Sequence, residues 1–309
     1  MSYIYGPVPS RRLGRSLGVD PLPLKTCNFS CVYCQLGRTK RYTTVRREFF
    51  PKEDIAEEME DRIKKIGKEN IDYITFAGSG EPTLYRGLGW LIERAKDSGI
   101  PVAVLTNGSL LNDKAVRKDL CEADVVLPTL DAGDEKTFKK MNRPYRISFD
   151  SMVEGMVKFR EEFHGKLWFE FMAIDGLNDS SQEIMRIKDI LDGAGADRVY
   201  INVPIRAPAE PWVIGSRRIQ EIKAVLSKSF EIVMPEEGEF GVISKNKEGV
   251  KKEILDIIRR HPMRREQIKE ILEEKGFEDL IEEIIEEKEV ELFLHDSREY
   301  FRIRRSNEQ

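Results

Sequence analysis

Cys27-Asn28-Phe29-Ser30-Cys31-Val32-Tyr33-Cys34 puts three cysteines at CxxxCxxC spacing on one short loop, and the 309-residue chain has one other cysteine, Cys121. Three thiolates so close in sequence make a compact set of soft metal ligands. A closed zinc site takes four protein ligands, usually from Cys and His at paired spacings. An iron–sulfur cubane held by three cysteines departs from the usual four-cysteine pattern and leaves one iron open to an outside ligand. Two readings follow. One is a catalytic iron–sulfur enzyme; the other is a zinc-bearing nucleic-acid-binding or regulatory protein with Cys121 as the fourth ligand.

Outward from this loop the chain alternates. A strand is predicted near 16–20 before the cysteines, and a helix after them from Pro51, with Glu53 and Asp54 in its first turn and Gly67 as its stop. Strands are then predicted at 73–76, 102–105, 125–130, 167–174 and 199–203. Helices are predicted at 88–98, 113–122, 134–141, 150–163, 181–194 and 216–229. Short apolar runs separated by amphipathic helices argue for βαβ units and a parallel sheet. Six such units are too few for a closed eight-stranded barrel and suit an open, partial (β/α)6 barrel. Each strand is followed by a polar, Gly- or Pro-marked turn. In α/β barrels the loops at the C-terminal strand ends converge on one face and build the active site, so the cysteine loop and the later turns should ring one mouth.

The chain divides into a barrel over 1–234, a Pro/Gly/charge-rich linker over 235–249 and a small α+β module over 250–309. Three amphipathic helices and two short strands around Asp296-Ser297 give the module a winged-helix-like pattern. Its third helix carries Glu278, Asp279, Glu282, Glu283, Glu286 and Glu287. That charge would repel phosphates and argues against DNA reading, although Arg298, Arg302, Arg304 and Arg305 of the hairpin could still touch RNA.

With its aromatic Tyr33 before the last cysteine, the loop resembles the signature of the radical S-adenosylmethionine (SAM) superfamily. Gly78-Ser79-Gly80-Glu81-Pro82 resembles that superfamily's second motif, with Ser79 splitting the usual glycine pair. The resemblance implies a partial barrel, a [4Fe–4S] cluster on Cys27, Cys31 and Cys34, and SAM at the open iron. It also implies reductive cleavage of SAM to a 5′-deoxyadenosyl radical that abstracts a substrate hydrogen. The first 230 or so residues look most like a group near the tRNA wyosine-base synthases. The chain lacks that group's upstream cysteines and adds the terminal module, so a tRNA base is one hypothesis for an otherwise undetermined substrate.

By the same resemblance, the backbone at Gly78, Ser79, Gly80 and Pro82, with the neighbourhood of Glu81, would hold the methionine amino group. Thr106 and Asn107 could bind the SAM carboxylate or cap the next helix. Asp131 could take ribose hydroxyls or form a turn. Arg143 could grip a carboxylate or phosphate or lie at the surface. Asn202 and Val203 end the sixth strand, where adenine would lie; Tyr33 could pack on the same base or in the core. His164, His261 and His295 have no metal-like spacing.

Net charge is −4, but the cluster neighbourhood is basic, with Arg11, Arg12 and Arg15 before it and Arg38, Lys40, Arg41, Arg46 and Arg47 after it. Such a rim could attract an anionic substrate or an acidic electron donor such as a flavodoxin or ferredoxin, or it could be a solvated surface. No apolar run is long enough to span a membrane, and Met1–Pro7 does not read as a secretory signal. Metal-bound thiolates need a reducing compartment, which predicts a cytoplasmic protein.

Overall fold

The computed structural model describes residues 2–10, 12–233, 242, 244–295 and 298–304. Arg11, Met234, linker positions 235–241 and 243, the Asp296-Ser297 turn and Arg305 lie outside them.

The barrel is one open sheet. β1 (Ile4–Ser10) pairs antiparallel with β2 (Gly14–Val19). The two-residue strands β3 (Thr26–Cys27) and β4 (Arg41–Tyr42) pair with each other at the flanks of the cysteine loop. Helix α1 (Lys52–Ile66) follows, with Pro51 at its N-cap and Gly67 at φ +81° ending it. The alternation then runs β5 (Tyr73–Phe76), α2 (Leu88–Lys96), β6 (Val102–Thr106), α3 (Lys114–Leu120), β7 (Val125–Pro128), α4 (Glu135–Met141), α5 (Phe149–Glu162), β8 (Lys166–Met172), α6 (Ser181–Gly193), β9 (Arg198–Asn202), α7 (Ile219–Leu226) and β10 (Glu231–Val233). The strand order is β1-β2-β5-β6-β7-β8-β9-β10, parallel from β2 onward.

The six expected strands are all present, and two more edge them. β1 holds Pro7 and Pro9, which read as an irregular entry; an edge strand tolerates proline because its outer N–H groups need no partner, and the register shifts between Tyr5 and Val8. β10 is three residues long, too short to show alternation.

Alternate strand residues face opposite ways. Val104, Val126, Phe169 and Ile201 pack outward under Leu91, Phe159 and Ile187 of the helices. Leu127, Trp168 and Tyr200 pack inward with Leu13 from the β1–β2 turn. That turn lies at the N-terminal strand ends, so the apolar plug fills that side of the lumen and the polar side chains collect at the other.

The C-terminal module comprises α8 (Lys247–Arg260), β11 (Met263–Arg264), α9 (Arg265–Lys275), α10 (Leu280–Ile285), β12 (Val290–His295) and β13 (Arg298–Ile303), with strand order β11-β13-β12. α8 starts inside the stretch read as linker. The side chain of Asn246 caps it by accepting from Gly249 N at 2.8 Å, and such a cap overrides the loop-like composition around it. Val250, Ile254, Ile257, Ile284 and Phe301 form the module's core together with Tyr5 and Val8 of β1. Lys247 and Lys251 of α8 pair with Asp279, Glu283 and Glu287, so the acidic third helix finds counter-charges that its own sequence does not supply. Among the described residues no helix is long and apolar enough to cross a membrane.

Candidate active site

The two motif loops are joined by backbone. Lys25 N donates to Ser79 O at 2.7 Å, Glu81 N donates to Thr26 O at 3.1 Å, and Thr26 bridges Gly80 as a one-residue parallel ladder. The glycines permit this approach. A Cβ on Gly80 would lie 1.8 Å from Thr26 O, and one on Gly78, at φ +144°, would lie 2.5 Å from Asp20 Cγ. Asp20 closes the back of the loop: its Oδ2 accepts from Ser79 N at 3.1 Å and from Ser79 Oγ at 2.6 Å.

Each cysteine has a donor aimed at its sulfur. Phe29 N lies 3.4 Å and Asn107 Nδ2 3.7 Å from Cys27 Sγ, Asn142 Nδ2 lies 3.5 Å from Cys31 Sγ, and the buried Lys25 places Nζ 3.2 Å from Cys34 Sγ. Burial, then Glu81, push the Cys27 thiol up to about 12; burial, then Asp131, push the Cys31 thiol up as well. A coordinating metal reverses that cost, because a bound thiol is deprotonated outright. Among the described residues no three His, Cys, Asp or Glu side chains gather around a single point. Three sulfurs that each ligate a different iron of a cubane meet no such requirement. Cys121 caps α3 with Sγ 3.7 Å from Glu162 O and does not close a four-ligand zinc site.

Glu81 is 2% exposed, and its carboxylate takes four hydrogen bonds: Thr83 N at 3.1 Å, Thr83 Oγ1 and Thr106 Oγ1 at 2.6 Å, and Asn107 N at 2.7 Å. Burial raises its pKa and these donors oppose the rise, with the Asn107 N–H foremost. The group is a strut between the loops after β5 and β6. Asn107 extends the strut, since its Nδ2 reaches Asn28 Oδ1 at 2.8 Å as well as Cys27. Thr106 and Asn107 therefore tie the Gly78–Pro82 motif to the cysteine loop, and the next helix is capped by Asp113 instead.

Asp131 is equally buried. It accepts from the hydroxyl of Tyr33, from Asn142 Nδ2 at 2.8 Å and from Met172 N at 2.9 Å. Burial raises its pKa to about 6 against the pull of these donors. Tyr33 is thus tied to the loop after β7. Asn142 joins the same loop to Cys31.

The remaining residues divide. Arg143, at φ +47°, pairs with Glu210, which also takes Arg38 Nε at 2.9 Å. Arg38 and Arg143 hold the Glu210 carboxyl below the usual range. Asn202 donates to Glu170 Oε1 at 3.2 Å, and Glu170 pairs with Arg12 inside the barrel. Val203 follows at the end of β9, where Gly215 packs against it. Sequence reasoning missed Asp20, Lys25, Asn28, Asn142 and Glu210. Asn142 stood beside the noticed Arg143. Lys25 acts on Cys34 only nine residues on, but no motif marks it; Asp20, Asn28 and Glu210 carry no local signal, because each matters through a partner distant in the chain.

Comparison with known proteins agrees with this geometry. The family description "Radical SAM superfamily" matches residues 22–187. A UPF0026 protein of Methanocaldococcus jannaschii is 37% identical over 97% of this chain and 96% of its own. Among solved structures, Streptococcus suis SuiB bound to S-adenosylmethionine superposes with a TM-score of 0.54 at 16% identity, covering 71% of this chain and 50% of that one. TYW1 with a lysine-pyruvate adduct bound superposes at 0.51 and 17% identity, covering 70% and 74%. At such identities the two structures speak to the fold alone. Taken with the match across the motif-bearing strands, they lead to one assignment: this chain belongs to the radical SAM superfamily, among its UPF0026 proteins.

Proposed function

We propose that Cys27, Cys31 and Cys34 hold a [4Fe–4S] cluster, that the loops after β5, β6, β7 and β9 hold SAM beside it, and that the enzyme abstracts a hydrogen atom from its substrate. The observation that carries this reading is the hydrogen-bonded chain from Thr26 through Glu81 and Asn107 back to Cys27. It fixes the cysteine loop and the second motif in one frame. When bound, the cluster supplies the electron that cleaves the sulfonium of SAM to methionine and a 5′-deoxyadenosyl radical; the protein's part is position and electrostatics.

In this reading the backbone at Gly78, Ser79 and Gly80, with Pro82 opening the following turn, receives the methionine amino group. Glu81 holds that backbone rigid, since its oxygens are already engaged. Thr106 and Asn107 lie beside the methionine carboxylate. Asp131, steadied by Tyr33 and Asn142, faces the ribose hydroxyls, and Tyr33, Asn202 and Val203 flank the adenine. Arg143, held with Arg38 by Glu210, gives the rim a fixed cation pair with one compensating charge. Lys40, Arg41 and Arg47 are exposed near the cysteine loop, and we assign to them the docking of an acidic flavodoxin or ferredoxin in the cytoplasm.

An RNA substrate is a second reading, favoured by Tyr42. It is 45% exposed, its ring lies 5.7 Å from that of Tyr145, and Arg146 sits 5.2 Å over Tyr145. Exposed rings beside cations are the elements on which unpaired bases stack. RNA binding that weakens steeply with salt supports it, and flat dependence refutes it.

The central test uses anaerobically reconstituted protein, dithionite and SAM. Wild-type protein is expected to release 5′-deoxyadenosine and methionine, and the Cys27→Ser/Cys31→Ser/Cys34→Ser variant none. Iron-loaded wild-type protein that releases no more than the variant overturns the reading.

A further inference from the structure

One residue of the C-terminal module is linked to both motif loops, to the cysteine loop through Gln35 and to the second motif through Asp20. Arg260, the last residue of α8, is 2% exposed although it carries a full charge. Its Nε donates to Asp20 Oδ2 at 2.9 Å, with both side chains almost wholly buried. That same oxygen holds Ser79 through its amide and its hydroxyl. The carbonyl of Arg260 meanwhile accepts from Gln35 Nε2 at 3.1 Å, and Gln35 directly follows Cys34. The guanidinium also lies 4.9 Å over the ring of Tyr5, whose hydroxyl reaches Ala77 O at 3.4 Å, immediately before Gly78.

We infer that the C-terminal module is a built-in part of the SAM site and that Arg260 is its positioning residue, acting on the second motif through Asp20. This rests on the reading above that the Gly78–Gly80 backbone binds SAM. A buried carboxylate needs a partner, and here the partner comes from the other end of the chain. Without Arg260, Asp20 would be a stranded charge. It would draw water or turn outward, and Ser79 would lose the acceptor that orients it. The serine that splits the usual glycine pair thus has a structural reason: its hydroxyl is the handle by which the module grips the motif. Arg260 is 226 residues beyond Cys34, so no local pattern could have shown the link.

The test is equilibrium dialysis of labelled SAM against anaerobically reconstituted full-length protein, with iron content measured in parallel. Arg260→Met is expected to raise the SAM dissociation constant on the order of tenfold or more, the usual scale for removing a group that orients a ligand's partners, while iron per chain stays at the wild-type level. Arg265→Met, which breaks an ion pair to Glu299 within the module, is expected to leave SAM affinity unchanged. If Arg260→Met does not fold, Asp20→Asn is compared with Asp20→Asn/Arg260→Met, where no charge is stranded. Because Arg260 acts through the Asp20 charge, Asp20→Asn is expected to weaken SAM binding on the order of tenfold, and the added Arg260→Met by no more than about twofold beyond that. Wild-type SAM affinity in folded Arg260→Met or in Asp20→Asn overturns the inference, and so does a double variant that binds at least about fivefold more weakly than Asp20→Asn. Failure of the wild-type protein to bind SAM overturns the underlying reading instead.

Discussion

Gly80→Ala tests whether the two motif loops must touch. The added methyl would sit 1.8 Å from Thr26 O and 2.8 Å from Thr26 C, where ordinary contact starts at 3.4 Å. Both obstacles are backbone and cannot swing aside, so the loops must part by about 1.6 Å. The Glu81 N to Thr26 O bond, 3.1 Å long, lies at the same point and would be lost. Overpacking in a close-packed site costs about 1–3 kcal/mol and the lost bond about 1 kcal/mol more, giving about 2–4 kcal/mol in a urea titration. The functional loss should be larger in proportion, since a displacement of about 1 Å near reacting groups costs roughly 10²-fold. Release of 5′-deoxyadenosine by the iron-loaded variant should therefore fall by about two orders of magnitude. Gly193→Ala is the control: it lies at the end of α6 with nothing within 4 Å of the new methyl, and it should be neutral or gain up to about 1 kcal/mol. Wild-type stability and turnover in Gly80→Ala would refute the claim that this contact sets the site.

Three further outcomes are expected. Lys25→Met removes the cation 3.2 Å from Cys34 Sγ, so the reduced, more negative cluster loses stabilisation and its midpoint potential should fall; an unchanged potential in an EPR-monitored redox titration would exclude Lys25 from tuning. Glu210→Gln tests the rim. Arg38 and Arg143 depress the Glu210 pKa below 4.5, so its contribution is present above that value and is lost as pH falls through the depressed one. The variant should be about 1 kcal/mol less stable near neutral pH, a figure kept small because Arg38 and Arg143 are more than a third exposed. Urea titrations should show that gap closing below about pH 4.5, and a gap that widens in acid would refute the sign. Cys121→Ser should leave iron content and the cluster spectrum unchanged, because its sulfur sits at the end of α3 beside the Glu162 carbonyl; lost iron would return Cys121 to the ligand set.

The order of strands and helices was legible because each strand is a short apolar run and each helix repeats at its own period. The exceptions share a cause. β1 carries prolines that only an edge position excuses, β10 is too short for a pattern, and α8 begins at a cap whose value lies in one side-chain hydrogen bond. Among the site residues, the cysteines and the Gly78–Pro82 stretch could be read because their spacing is itself the signal. Glu81 could be seen but not its use: sequence offers a carboxylate, and only the fold shows four donors already occupying it.

By itself the sequence determined the close spacing of the three cysteines, the αβ alternation and therefore the face on which the loops gather, since these follow from residue type and from periods of two and 3.6 along a continuous chain. The tertiary structure alone decided which polar groups meet. Asp20 serves Ser79 and answers to Arg260, Asn107 joins Glu81 to Cys27, and Glu210 holds two arginines. The physical reason is that a buried charge or amide is specified by whatever satisfies it, and where a module from the far end of the chain packs on the barrel's first strand that partner can lie hundreds of residues away.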